Sequence, residues 1–403
     1  MTSGRHSTRK PGAPLFIALV AITFIGPLSI HMFLPALPFV RQAFALDQSA
    51  AQLTYGLAML VMAFTTLVYG SVSDRLGRQP VLLGGLVLFT LGATIAVTAS
   101  TFSVLLIGRV LQGAGAACGI VLARAIVSDV YGTDRLGKMI AYLTTAYVIG
   151  PLTAPPIGGL LIDQFGWQSI LIVPAVFGLV AIVIAVTVIG ETRPPRGTNR
   201  PGLILGYRRL FGAPVFTLYA LNSAFFSGAF FAHGTAAAYL MIEVLQRPAA
   251  EFGMLFMLGP GGYMVGNYLS GRLGDRLSGG FLIVFGSMVT VVGAALLIGL
   301  IAGRGLSPSS LFVPLAVLAL GQGLVMPQSQ AAAIAHEPAL TGTASGIVMF
   351  LQLLFAAALP QLVSALSDGT ATPMIVVVST SAVLGLACGL GAVVLSRRDQ
   401  VGS

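Results

Sequence analysis

The sequence predicts an all-α membrane protein of twelve spanning helices, arranged as two related six-helix bundles. Three observations predict this: a composition too apolar to be wetted, twelve apolar runs of spanning length, and a loop signature that recurs in the second half. Of 403 residues, 56% are hydrophobic and 8% are charged, and mean hydropathy is +0.94. A soluble domain carries about 25% charge, so lipid must bathe most of this surface. A soluble enzyme, a disordered chain and a secreted disulfide scaffold are excluded. The 50 glycines suit close helix packing in a bilayer. Cys118 and Cys388 lie in apolar runs without metal-ligand spacing and read as packing residues.

A spanning helix needs about 20 mainly apolar residues. Such runs fall at Pro14–Pro38, Ala51–Val72, Val81–Thr98, Val104–Ser128, Met139–Leu161, Ser169–Gly190, Pro214–Leu240, Phe252–Gly271, Gly280–Ala302, Leu311–Ile334, Gly342–Leu366 and Met374–Leu395. The first is too long for a cleavable signal peptide, and further spans follow it. With the N-terminus inside, 16 of the 21 Lys and Arg fall in inner segments. Arg41, Arg247 and Arg304 are outer, and Arg109 and Arg124 lie within the fourth run. This bias predicts both termini in the cytoplasm. The net charge of +9 then reports topology, and no nucleic acid is needed to explain it. The polar stretch 191–212 reads as a cytoplasmic linker between an N-terminal bundle (1–190) and a C-terminal bundle (213–403).

The loop after the second run reads Gly70-Ser-Val-Ser-Asp74-Arg75-Leu76-Gly77-Arg78. After the eighth comes Gly271-Arg-Leu-Gly-Asp275-Arg276-Leu277, at an offset of 201. A match at the same place in each half predicts bundles related by an axis along the membrane normal, with a substrate site between them near mid-membrane. Asp74 sits beside a helix N-terminus, which favours an anion. Arg75 and Arg78 can tie the loop to neighbouring helix ends or to lipid phosphates; simple snorkelling is the alternative.

These loops resemble the major facilitator superfamily. Three further stretches narrow the likeness. Arg109-Val-Leu-Gln112-Gly113-Ala-Gly115 resembles the fourth-helix motif that the family associates with proton coupling. Gly150-Pro151-Leu-Thr-Ala-Pro155-Pro156-Ile-Gly158-Gly159 resembles the fifth-helix motif of exporters. Leu34-Pro35-Ala36-Leu37-Pro38 resembles the drug:proton antiporters of the Bcr/CflA type. The resemblance implies a bacterial inner-membrane transporter working as a monomer by alternating access. It would expel small lipophilic compounds in exchange for protons. The loop residues Gly70, Asp74, Arg75, Gly77, Arg78, Asp275 and Arg276 would then serve gating, as would Gly150, Pro151, Pro155, Gly158 and Gly159 in the fifth helix. A transporter of one specific metabolite is the alternative.

The group usually carries an acidic residue three positions before Leu34. Here it is His31, and no Asp or Glu falls in the middle of any span. Imidazole titrates near neutrality, so His31 can replace the carboxylate as proton carrier. His233, in the seventh run, lies 202 residues on, and both histidines are expected to face the central cavity. The alternative is two neutral histidines bonded to backbone. Arg109 either snorkels outward or turns inward to the first-helix backbone or Gln112. Tyr55, Met59, Gln112, Tyr142, Tyr147, Asn222, Phe225, Phe226, Phe230, Tyr239 and Met349 are candidates to line an apolar pocket. Gly113-x-Gly115 lies inside an apolar helix with no preceding strand, so it is no nucleotide loop. No Walker A, H-E-x-x-H or G-x-S-x-G motif occurs. A cofactor, a catalytic metal and an enzymatic reaction are therefore not expected.

Overall fold

The structure, a computed structural model, describes residues 13–192, 208–274, 276–336 and 340–401. All regular structure among them is helical. The linker prolines, Arg193, Arg196, Arg200 and Asp275 lie outside these residues. The helices are α1 (Ala13–Met32), α2 (Leu37–Ala43), α3 (Gln48–Leu76), α4 (Arg78–Val97), α5 (Phe102–Phe165), α6 (Ser169–Val188), α7 (Pro214–Tyr239), α8 (Ala249–Phe256), α9 (Leu258–Gly274), α10 (Gly279–Arg304), α11 (Pro308–Ala335), α12 (Thr341–Ala365) and α13 (Thr372–Val401).

Ten helices among the described residues are long and apolar enough to cross a membrane. The other two crossings come from places where helices merge or break. The expected fourth and fifth spans form one helical run of 64 residues, which would be about 96 Å long if straight. It is not straight. A side chain added at Gly119 would strike the Ile22 carbonyl, and one added at Gly150 would strike Pro27. Those glycines are about 46 Å apart along an ideal helix, yet their α1 partners are only about 7.5 Å apart. The run therefore folds back between them. Its first limb opposes α1 in direction (Gly119 at Ile22, Ala116 at Gly26), and its second follows α1 (Gly150 at Pro27, Gly158 at Met32).

The eighth span, expected to be continuous, is cut between α8 and α9. Pro260 has no amide hydrogen for the Phe256 carbonyl, so that rung is lost. Met257 N turns back to Met254 O at 3.3 Å, and Gly261 N resumes the ladder on Met257 O at 2.9 Å. Pro35 acts similarly beyond α1. A short 3-10 turn at Leu34–Ala36 replaces regular helix there, and α2 completes a crossing that ends at Ala43. At the end of α7, a π-helical turn spans Leu240–Val244.

The result is twelve crossings in two six-helix bundles, the termini lying at one end (the termini face) and α2 near the other (the far face). The bundles meet along two seams. The second limb of α5 packs on α8, and α3 packs on α12.

Candidate functional site

Between the bundles lies a cavity of about 220 Å³. The first bundle contributes His31 of α1 and Arg124, Tyr147, Val148 and Pro151 of α5. The second contributes Ser227, Phe230 and Phe231 of α7, Pro260 and Tyr263 of α9, Gln322, Met326, Gln330 and Ile334 of α11, and Ser345, Val348, Met349, Gln352 and Leu353 of α12. Ile334 and Ser345 stand within about a turn of helix ends at the termini face, so the cavity reaches that face. Toward the far face it stops at His31 and Phe231, whose rings stack at 5.4 Å.

Beyond this stop the bundles are pinned together. Gly159 leaves room for no side chain against the Ala249 carbonyl, nor Gly253 against Pro155, so the two backbones nearly touch. Asp163 accepts hydrogen bonds from Ala249 N (3.1 Å) and Ala250 N (2.8 Å), where a helix start favours an anion. Gln361 donates to Ser49 O at 3.1 Å and to Ser49 Oγ at 2.9 Å. Arg41 pairs with Glu243, which the π-helical turn carries. A second hollow of about 380 Å³ lies at the far face around this pair, lined also by Asp47, Gln48, Tyr239 and Ser367.

His31 borders the cavity, and its Nδ1 is buried without a hydrogen-bond partner. Arg109 turns inward and is 1% exposed. It bonds to Thr54 O at 3.3 Å and to Gln112 Oε1, with its guanidinium 4.0 Å over the Phe33 ring. The backbone partner is thus on α3 and not on α1; the aromatic face comes from Phe33, just past the end of α1. A charge at the bilayer centre costs about 2.5–3.5 kcal/mol on insertion scales. Hydrogen bonds to a charged group contribute about 1.5–3 kcal/mol each, and a desolvated cation–π contact about 2 kcal/mol. This set offsets much of the cost without a carboxylate, although Nη2 is left buried with no partner.

His233 differs from expectation. It is fully buried away from the cavity, beside the Leu311 backbone, and neither ring nitrogen reaches a hydrogen-bond partner. The reason is angular. The cavity-lining face of α7 carries Ser227, Phe230 and Phe231, and His233 falls about 110° around the helix from the middle of that face.

Tyr147, Phe230 and Met349 line the cavity; several other expected lining residues do not. Asn222 donates to Gly385 O and accepts from Ser329 Oγ, both at 2.7 Å, tying α7 to α13 and α11. Phe226 packs its ring against Gly385. Tyr55 and Met59 are buried in the first bundle, Tyr55 against Phe231 at 6.3 Å. Gln112 serves Arg109. Phe225 stacks edge-on with Phe355 at 4.9 Å. Tyr142 is 47% exposed and meets the Phe16 ring at 5.8 Å. Tyr239 faces the far hollow. Such aromatic and amide side chains are equally good at filling helix contacts, and the sequence does not distinguish the two uses.

At the termini face, Arg78 gathers the first bundle. It pairs with Asp74 at 2.7 Å and Asp129 at 2.8 Å, and also donates to Ser73 Oγ at 2.7 Å. Its backbone N donates to Glu191 at 2.9 Å, and Gln79 donates to Ile189 O at 2.6 Å. Gly77, with φ +109°, makes the turn that allows this. Arg75 is exposed, and Gly70 has open space around it. In the second half, Arg272 lies over Tyr268 at 5.6 Å, and Arg276 N closes a turn on Leu273 O at 2.9 Å.

The cavity also holds residues that the sequence reading did not assign: Arg124, Tyr263, Gln322, Gln330 and Gln352. A signal existed. Each is a strongly polar or phenolic group inside an apolar run, where such groups face protein or water and not lipid.

The fold and these motifs agree with known proteins. The chain is 29% identical to multidrug resistance protein D of Escherichia coli (strain K12) over 345 residues, 85% of this chain and 86% of that one. It is 26% identical to a bicyclomycin resistance protein homolog of Haemophilus influenzae over 385 residues, 92% and 94% of the two chains. The POT family transporter PepTSo superposes with a TM-score of 0.76 at 15% identity, covering 98% of this chain and all of that one. Consistent with the drug-antiporter likeness of its motifs, and with a family model for the Major Facilitator Superfamily matching residues 19–360, the chain belongs to that superfamily.

Proposed function

We propose that this protein is a secondary active exporter of small lipophilic compounds, driven by proton influx, in the cytoplasmic membrane of a bacterium. In this reading the termini face is cytoplasmic and the structure is the inward-open state. One observation carries it: a cavity between two bundles reaches one face, while a seal separates it from a second hollow at the other. A site between two bundles that opens to one face and is closed to the other is what alternating access requires. The multidrug relatives and the proline-glycine motif of the fifth crossing support the outward direction.

His31 is the proton carrier of this scheme, being a titratable group of the cavity wall. Arg109 holds a fixed positive charge in the same bundle and discourages a second proton. His233 takes no part in this state. The chain acts as a monomer, since one chain encloses the whole cavity. Transport of one specific metabolite is the second reading, favoured by the amide-rich wall of Gln322, Gln330 and Gln352.

The test is efflux of a dye and antibiotic panel from expressing cells, with and without a protonophore. It is paired with substrate-linked proton movement in inverted vesicles of wild type, His31→Ala, His233→Ala and the double variant. Efflux should collapse with the protonophore, and His31→Ala alone should lose coupling. Wild-type coupling in the double variant would remove the histidines from the mechanism.

A further inference from the structure

We propose that Arg124 is the substrate anchor of the central cavity, and that the compounds this protein prefers are amphiphiles with one carboxylate group. The proposal rests on the transporter reading and adds a substrate class to it.

The two intramembrane arginines differ in how they are satisfied. Arg109 is enclosed by Thr54, Gln112 and Phe33, with only its Nη2 left buried without a partner. Arg124 lies fifteen residues on, about 22 Å further along the first limb of α5. It is only partly buried, lines the cavity, and makes no hydrogen bond or ion pair among the described residues. Its neighbour there is the Tyr147 phenol. A second observation points the same way. Gln352, across the cavity on α12, holds its side-chain Nε2 buried with no acceptor. The cavity therefore presents an unmatched guanidinium, and its wall holds a buried amide nitrogen without an acceptor.

No carboxylate among the described residues lines the cavity to balance them. Asp129, the nearest acid along the same helix, is taken by Arg78 at 2.8 Å. What is missing is an acceptor, and a planar carboxylate fits the guanidinium fork best. The opposite end of the cavity is apolar, with Phe230, Phe231 and Leu353 beside His31. At about 220 Å³, the space is below the usual 300–1,000 Å³ of drug-sized sites. A short apolar body with a single anionic head matches both ends. A lipophilic cation would meet the guanidinium with no counter-charge.

The test uses the purified full chain in lipid nanodiscs and in proteoliposomes. The probes are 4-phenylbutyrate, 4-phenylbutyramide and 4-phenylbutylamine, which share a body and differ in head charge. Calorimetric binding should favour the carboxylate over the amide by at least about tenfold, the scale of a charge-assisted hydrogen bond. Arg124→Gln should bring that ratio near one by weakening carboxylate binding, with thermal stability retained. Arg124→Lys should retain part of the preference. Equal or tighter binding of the amine or amide to wild type would overturn the proposal, as would an undiminished carboxylate preference in Arg124→Gln. Counterflow separates the two levels. If wild type moves the amide or amine without any Arg124-dependent preference, this inference falls and the transporter reading stands. If none of the three probes nor any member of the dye and antibiotic panel moves, the transporter reading falls with it.

Discussion

The two ends of the molecule are tied in different ways. At the far face, Asp163, Gln361 and Arg41 each bond from one bundle to the other. At the termini face, the named bonds of Arg78 all stay inside the first bundle, joining the ends of α3, α4, the first limb of α5 and the segment after α6. A bond between bundles would have to break for them to part, whereas one within a bundle would not. The far face is thus a seal of bonds between the bundles, and the Arg78 cluster is a brace within one of them.

The comparison can be tested at several points. Arg78→Ala should have the largest effect on stability. It leaves the Asp129 side chain, 10% exposed, without its cation, a loss of about 3–5 kcal/mol for a buried pair. Thermal unfolding in detergent should show it, and adding Asp129→Ala should recover much of it. A double variant no more stable than the single one would contradict the brace.

Gly159→Val should act on the seal. Its side chain meets the Ala249 backbone, and such overpacking costs about 1–3 kcal/mol. A cysteine placed at Ser227 in the cavity should then react faster with an impermeant thiol reagent added from the far side. Unchanged labelling would show that the seal lies elsewhere.

Glu243→Gln should produce a smaller change of the same kind. The Arg41 side chain is 39% exposed, and exposed ion pairs contribute about 0.2–1 kcal/mol. Labelling should rise by at most about fivefold, with the difference shrinking in high salt.

The smallest effect belongs to Asp368, in the far-face loop. Hydrogen bonds from the Thr370 hydroxyl and backbone N–H hold its carboxyl below the usual range. Its contribution is therefore present above the ordinary carboxylate pKa and is lost as pH falls through the lowered value. Thr370→Val should erase much of this acid dependence, read as amide exchange across residues 367–371.

Much of the fold was legible because membrane insertion is written in long apolar runs and in the placement of Lys and Arg. The ends of those runs were less so. The 64-residue run of α5 is helical across the loop expected after Ser128, with no proline between Ser128 and Gly150 to mark the place where it folds back. The break at Pro260 went the other way. It was visible as a proline, but the apolar content around it masked the cut. At the site, His31 stood out as an oddity of its position. His233 lies at an offset from it similar to that of the loop repeat, but on a helix face turned away from the cavity-lining Ser227, Phe230 and Phe231. From the sequence Arg124 is placed only within the fourth run; the cavity shows that no hydrogen bond or ion pair among the described residues holds it.

The interruption at Pro260 has a mechanical consequence. The α8 segment is clamped to the fifth crossing through Gly253 and Asp163, while α9 beyond the cut carries Tyr263 on the cavity wall. The rung that bending would strain is already absent, so the lower rod can swivel about this joint without tearing its own spine. Half a helix can stay at anchor while the other half steers.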